Sequence, residues 1–178
     1  MSNLNRIRRA GRVMSGLCSA IIVVLPLGLA LIWANLETLG PAMVGQAVPD
    51  LRFGNHGAGT LILGFAISMI PVLVLIYGLI QLRRLFGLYG QGRIFSSLHA
   101  LYLRRFALAS ILSVFAQIVS SSLISVVLTF HNPPGARHLT VSVTSDHLGT
   151  VFLGSVLLVI AWIMVEGSKI AEDNAQIV

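Results

Sequence analysis

Charge is what this chain has least of. Asp, Glu, Lys and Arg make up 10% of its 178 residues, against about 25% in an ordinary soluble domain. So few ionic groups cannot tile a water-facing surface, and a bilayer removes the need for one. Acid is scarcer than base, with six carboxylates against twelve Lys and Arg. No long apolar stretch carries two acids, which argues against a proton relay or ion-coupled transport at membrane depth. The single cysteine, Cys18, excludes an intrachain disulfide, and its apolar setting reads as a small buried side chain. No histidine lies deep inside an apolar stretch, so a central haem between paired histidines is unsupported. Gly90, Gln91 and Gly92 follow no strand and are not a nucleotide-binding loop. The sequence therefore predicts no catalytic centre and no cofactor.

Hydrophobic residues are what the chain has instead, at 56%. They fall into four runs: 13–36, 58–82, 106–130 and 148–165. Each is long enough to cross the hydrocarbon core, which takes about 20 helical residues. The first follows Arg6, Arg8, Arg9 and Arg12, as in a secretory signal. Its length and the want of a small-residue cleavage site make it a retained span. The whole chain, 1–178, reads as a single all-α integral membrane domain of four transmembrane helices.

The basic residues set its orientation. Four arginines precede span 1, and Arg83, Arg84, Arg93, Arg104 and Arg105 lie around the junction of spans 2 and 3. The other two loops have one arginine each, Arg52 and Arg137. Lys and Arg mark the cytoplasmic side, so both termini and an Arg-rich hairpin between spans 2 and 3 are expected there. The formal charge of +6 is explained by this placement, and direct nucleic-acid binding is not expected. A multi-pass protein of the bacterial cytoplasmic membrane follows, with membrane lipids as its first partners.

Finer expectations attach to single residues. Pro26 and Pro71 remove backbone donors and should kink spans 1 and 2. Trp33 suits an outer aromatic belt, and Trp162 the opposite boundary. Thr60, Gly64 and Ser68 recur every fourth residue, as do Thr150 and Gly154, and such faces let helices approach closely. Ser110, Ser113, Gln117, Ser120, Ser121 and Ser125 gather on one broad side of span 3, which should face the other helices and bond to them. Leu108, Leu112, Phe115 and Val119 then face lipid or a partner. In the hairpin, residues 82–89 should continue span 2 past the headgroups, Gly90 and Gly92 should reverse the chain, and Ser96 or Ser97 should cap the following helix. Residues 44–53 of the first loop suit a short surface segment, and 138–144 of the second alternate like a strand too short to stand alone.

Two segments resemble the DUF2975 family of small bacterial membrane proteins. One carries Leu82, Arg83, Leu85, Phe86, Gly92, Ile94, Phe95, Leu103 and Arg104; the other carries Glu166, Gly167, Glu172, Asp173 and a closing Val178. The resemblance implies four spans and singles out Arg83, Arg84, Gly92, Phe95, Arg104, Arg105 and Glu166 as structural or partner-binding positions. It also implies a neighbouring helix-turn-helix regulator as a cytosolic partner. The family often has Asn after its Ile-Phe-Ser/Thr run, whereas this chain has Leu98 and His99.

Candidate sites are few. His56, His131, His138 and His147, with Asp50 and Asp146 near in sequence, have the chemistry of a zinc or copper site, although their spacing matches no standard motif. Glu166 is placed to clamp Arg83, Arg84 or Arg105 at the cytoplasmic interface. The best reading is a non-enzymatic membrane scaffold, accessory subunit or regulatory partner, bound to another membrane protein or to a second copy. A small transporter hinged at Pro26 and Pro71 and lined by span 3 comes next, and a membrane metalloprotein last.

Overall fold

The structure is a computed structural model that describes residues 2–36, 38–39, 57–91, 97–129 and 139–175. Four helices occupy them: α1 (Ser2–Ala34), α2 (Ala58–Gly90), α3 (Ser97–Thr129) and α4 (Ser145–Ala175). Each contains an apolar window long enough to cross a membrane. Helices of 31 to 33 residues reach about 50 Å, well beyond the hydrocarbon core of about 30 Å.

The surplus length lies at one end. At the other, α1, α2 and α3 stop or start within a few residues of their apolar runs. At the arginine-bearing end the helices run on: α1 begins at Ser2 rather than Val13, α2 continues to Gly90, α3 starts at Ser97 rather than Phe106, and α4 extends to Ala175. A helix leaving lipid keeps its internal backbone bonds, so nothing forces it to stop at the headgroups. The N-terminal arginines and the Arg104–Arg105 pair are thus helical. Pro26 and Pro71 sit inside continuous helices.

The helices pack antiparallel in chain order: α1 on α2, α2 on α3, and α3 on α4. Among the described residues no other two helices lie side by side. The result is an open layer rather than a closed bundle. Only 11% of the apolar window is buried in α1 and in α4, against 28% in α3, so the two edge helices turn most of their surface outward.

Small residues set the close approaches. A methyl group on Gly78 would lie 2.9 Å from the Ala109 Cβ, and one on Gly154 would lie 2.6 Å from Ile111 Cγ1. On Gly11 it would lie 2.7 Å from the Gly90 nitrogen and 2.8 Å from the Phe86 oxygen, so α1 and α2 meet there backbone to backbone. Gly11 is therefore the residue that this approach needs; facing it is Gly90, whose own Cβ would meet nothing nearer than Arg12 Cγ at 3.3 Å. Gly90 is the last residue of α2, and Gln91 after it keeps right-handed dihedrals of φ −84° and ψ −6°, so no reversal occurs at this point. Gly92 and Ser96 lie outside the described residues, as do 44–53.

Trp33 departs from the belt expected of it. Its indole is buried, covers Gly64, and donates from Nε1 to Ser68 Oγ at 3.1 Å. The Gly64–Ser68 face is real, but an aromatic side chain fills it rather than a second backbone. Trp33 joins Leu36 and Leu128 in a small core, with Leu29, Leu61, Phe65 and Ile124 against it. Trp162 is 66% exposed, as a residue at the lipid boundary should be.

Candidate functional site

Three places gather polar chemistry. The first is a groove of about 510 Å³ between the start of α3 and the end of the apolar part of α4. Ala100 and Ala161, each 1% exposed, form its floor. Leu98, Leu101, Trp162 and Val165 form its apolar walls, and Arg104 and Glu166 bring opposite charges from the two helices. The spacing follows from the helix: Leu101 and Arg104 share a face three residues apart, as do Trp162 and Glu166 four apart. Glu166 thus shares its surroundings with Arg104, whereas Arg83, Arg84 and Arg105, all exposed, do not line the groove.

The second place is buried between α2 and α3. His99 is fully enclosed, its ring 4.7 Å from that of Tyr89 at a 45° tilt. Elsewhere on α2, Gln81 is 2% exposed, and its Oε1 has no hydrogen-bond partner among the described residues. The family comparison of residues 98 and 99 leaves His99 without a role; the structure makes it a packing element of the arginine-bearing end. The readable signal was aromatic Tyr89, close in the chain to His99 across a short connection.

The third joins α3 and α4 at the opposite end. His147 Nδ1 accepts the Thr144 backbone N–H at 3.2 Å, which is half of a capping box at the start of α4. That leaves Nε2 as the protonated nitrogen, and it donates to Gln117 Oε1 at 3.2 Å. Both ring nitrogens are therefore engaged. A metal ion at His147 would have to displace one of these bonds. His56, His131 and His138 lie outside the described residues. Among the described residues no three His, Cys, Asp or Glu side chains come together.

The serine side of α3 does face inward: Ser110, Ser113, Ser120 and Ser125 are buried, while Leu108, Leu112, Phe115 and Val119 are exposed. Gln117, exposed rather than buried, bonds across to His147 on α4 as expected, but the serines bond differently from expectation. Ser110 donates to the Phe106 carbonyl at 3.0 Å, Ser113 to Ser110 at 2.7 Å and Ser125 to Ser122 at 2.8 Å, all within α3. A hydroxyl in an apolar helix finds its own backbone carbonyl nearest. Ser125 also accepts the Thr140 N–H at 3.1 Å, tying residue 140 to α3, and residues 139–144 form no strand.

The profile of the family described as "Protein of unknown function (DUF2975)" matches residues 31–178. The chain belongs to the DUF2975 family. No curated protein and no solved structure matches it. The DUF2975 match takes in α2, α3, α4 and the end of α1, so the α3–α4 groove lies wholly inside it, and Arg6 to Arg12 lie outside. Four long apolar helices in a DUF2975 protein are those of a multi-pass protein of the bacterial inner membrane. Phe95 and Gly92, singled out by the family resemblance, lie outside the described residues.

Proposed function

We propose that this DUF2975 protein is a non-enzymatic scaffold or accessory subunit of the inner membrane, working by association with another membrane protein or a second copy. The observation that carries this reading is the open layer. Among the described residues α1 and α4 each lie beside one neighbour, with α1 reaching α3 at Trp33, and exposed Val23, Val24, Leu27 and Leu31 on α1 face outward like Phe152, Leu153 and Ile163 on α4. Outward apolar edges on a helix layer suit lateral association in lipid. The serine side of α3, spent on its own carbonyls, gives less support to a transport path. In this reading both termini lie in the cytoplasm, because eight of the described arginines (Arg6, Arg8, Arg9, Arg12, Arg83, Arg84, Arg104 and Arg105) sit at the end where the helices overhang. Arg83, Arg84, Arg104 and Arg105 are then exposed to the cytoplasm, available to anionic lipid or to a cytosolic helix-turn-helix regulator.

The test is purification from the native membrane in mild detergent, with mass and subunit composition measured together. A stoichiometric membrane partner or a defined homo-oligomer is expected. A monomer that carries solute across liposomes would replace this reading with the transport one.

A further inference from the structure

We propose that the α3–α4 groove seats one ethanolamine-headed, zwitterionic phospholipid of the leaflet at the arginine-bearing end. The inference stands on the groove alone and does not require the scaffold reading. Its volume of about 510 Å³ lies within the usual range for small-molecule sites, about 300–1,000 Å³. Two alanines at the floor let the helices part without a side chain between them, and Leu98, Leu101 and Val165 line an apolar channel for an acyl chain. Trp162, 66% exposed beside it, occupies the headgroup level.

The charges choose the occupant. Arg104 on one wall meets a phosphate, and its guanidinium forms strong, directional bonds to phosphate oxygens. Glu166 on the other wall repels a second negative charge and accepts from an ammonium. A carboxylate has several acceptor sites, so it can do this alongside other bonds. Phosphatidylglycerol meets Arg104 with its phosphate but brings Glu166 hydroxyl donors without a positive charge. A choline headgroup brings a positive charge but no N–H to donate. An apolar protein helix laid in the groove would bury both charges, a cost that lipid avoids by leaving the headgroup at the water boundary. The ethanolamine headgroup alone matches both walls.

Quenching of Trp162 tests this directly. The purified protein is titrated with phosphatidylethanolamine, phosphatidylcholine and phosphatidylglycerol carrying brominated acyl chains. Trp162 emission is taken as the difference between the wild type and Trp162→Phe; buried Trp33 supplies the constant remainder. The ethanolamine lipid is expected to quench at about tenfold lower concentration than either of the others, the size of one charge-assisted hydrogen bond. Glu166→Gln should bring it to the choline level, and Arg104→Gln should weaken all three. Trp33 emission and elution volume verify that each variant is folded. Should Arg104→Gln not fold, the comparison of headgroups on the wild type still decides. Equal quenching by the three lipids overturns the proposal, as does an unchanged preference in Glu166→Gln. A protein subunit that crosslinks from position 162 and blocks quenching overturns it too.

Discussion

Gly11 and Gly64 are both filled by a neighbour, but the neighbours differ in what they can give. At Gly11 the facing atoms are backbone, the Gly90 nitrogen and the Phe86 carbonyl oxygen. At Gly64 the facing group is the Trp33 indole, a side chain that can rotate only by giving up its bond to Ser68. Gly11→Ala should therefore push α1 from α2 and cost about 1–3 kcal/mol, the range for overpacking. Gly64→Ala should cost a similar amount and also release Trp33, seen as a red shift of its emission. Gly16, inside α1 with open space around it, is the control: Gly16→Ala should be neutral or stabilise by up to about 1 kcal/mol, the gain in helix propensity. Thermal unfolding in detergent measures all three. Gly64 was legible because it repeats at four-residue spacing with Thr60 and Ser68. Gly11 was not, because it stands among the arginines that precede span 1, and its partner is far along the chain.

Within α3 the sequence shows which side turns inward but not what the hydroxyls do there. Polarity within an apolar run predicts burial, while the choice between a facing helix and the residue's own carbonyl depends on distances that spacing does not encode. The observed choice makes the hydroxyls nearly dispensable. Ser110→Ala and Ser113→Ala remove bonds internal to the helix and should each shift stability by less than about 0.5 kcal/mol. Gln117 and His147 are different, since they link α3 to α4. A double-mutant cycle of Gln117→Ala and His147→Ala should give a coupling of about 0.6 kcal/mol, the average for cross-helix bonds in lipid. His147→Ala alone should cost more than Gln117→Ala, because it also uncaps α4. The loop position of His147 suggested a ligand at the sequence level. Its spacing to Thr144 carried the capping role, three residues on.

At the scale of the molecule, four apolar runs were enough to find the four spans, and the boundaries near Ala34, Ala58 and Thr129 follow the sequence closely. Hydropathy could not say which spans touch. It also stopped α1, α3 and α4 too soon at the arginine end, because it measures solubility in lipid and not helix continuity; the run of α2 through Leu82 to Tyr89 was expected. The open layer makes a direct prediction. With Cys18 replaced, cysteines at Gly78 and Ala109 should crosslink within one chain, while cysteines at Leu27 on α1 and Phe152 on α4 should not. An intrachain Leu27–Phe152 crosslink would mean that the layer closes into a bundle.

The chain-order packing also bears on synthesis. Each helix that leaves the ribosome finds its principal partner in the one inserted just before it, and α2 turns back on α1 while α3 is still unmade. Contacts between sequence neighbours carry a small closure entropy and form quickly. Among the described residues only the reach of Leu128 and Ile124 to Trp33 and Leu36 skips a helix, and it is complete before α4 emerges. A chain arrested ahead of Ser145 should already hold α1 to α3 in their final arrangement, with their tryptophan environment and protease resistance in place. α4 then adds as the last leaf, held mainly by Gly154 and the His147–Gln117 bond.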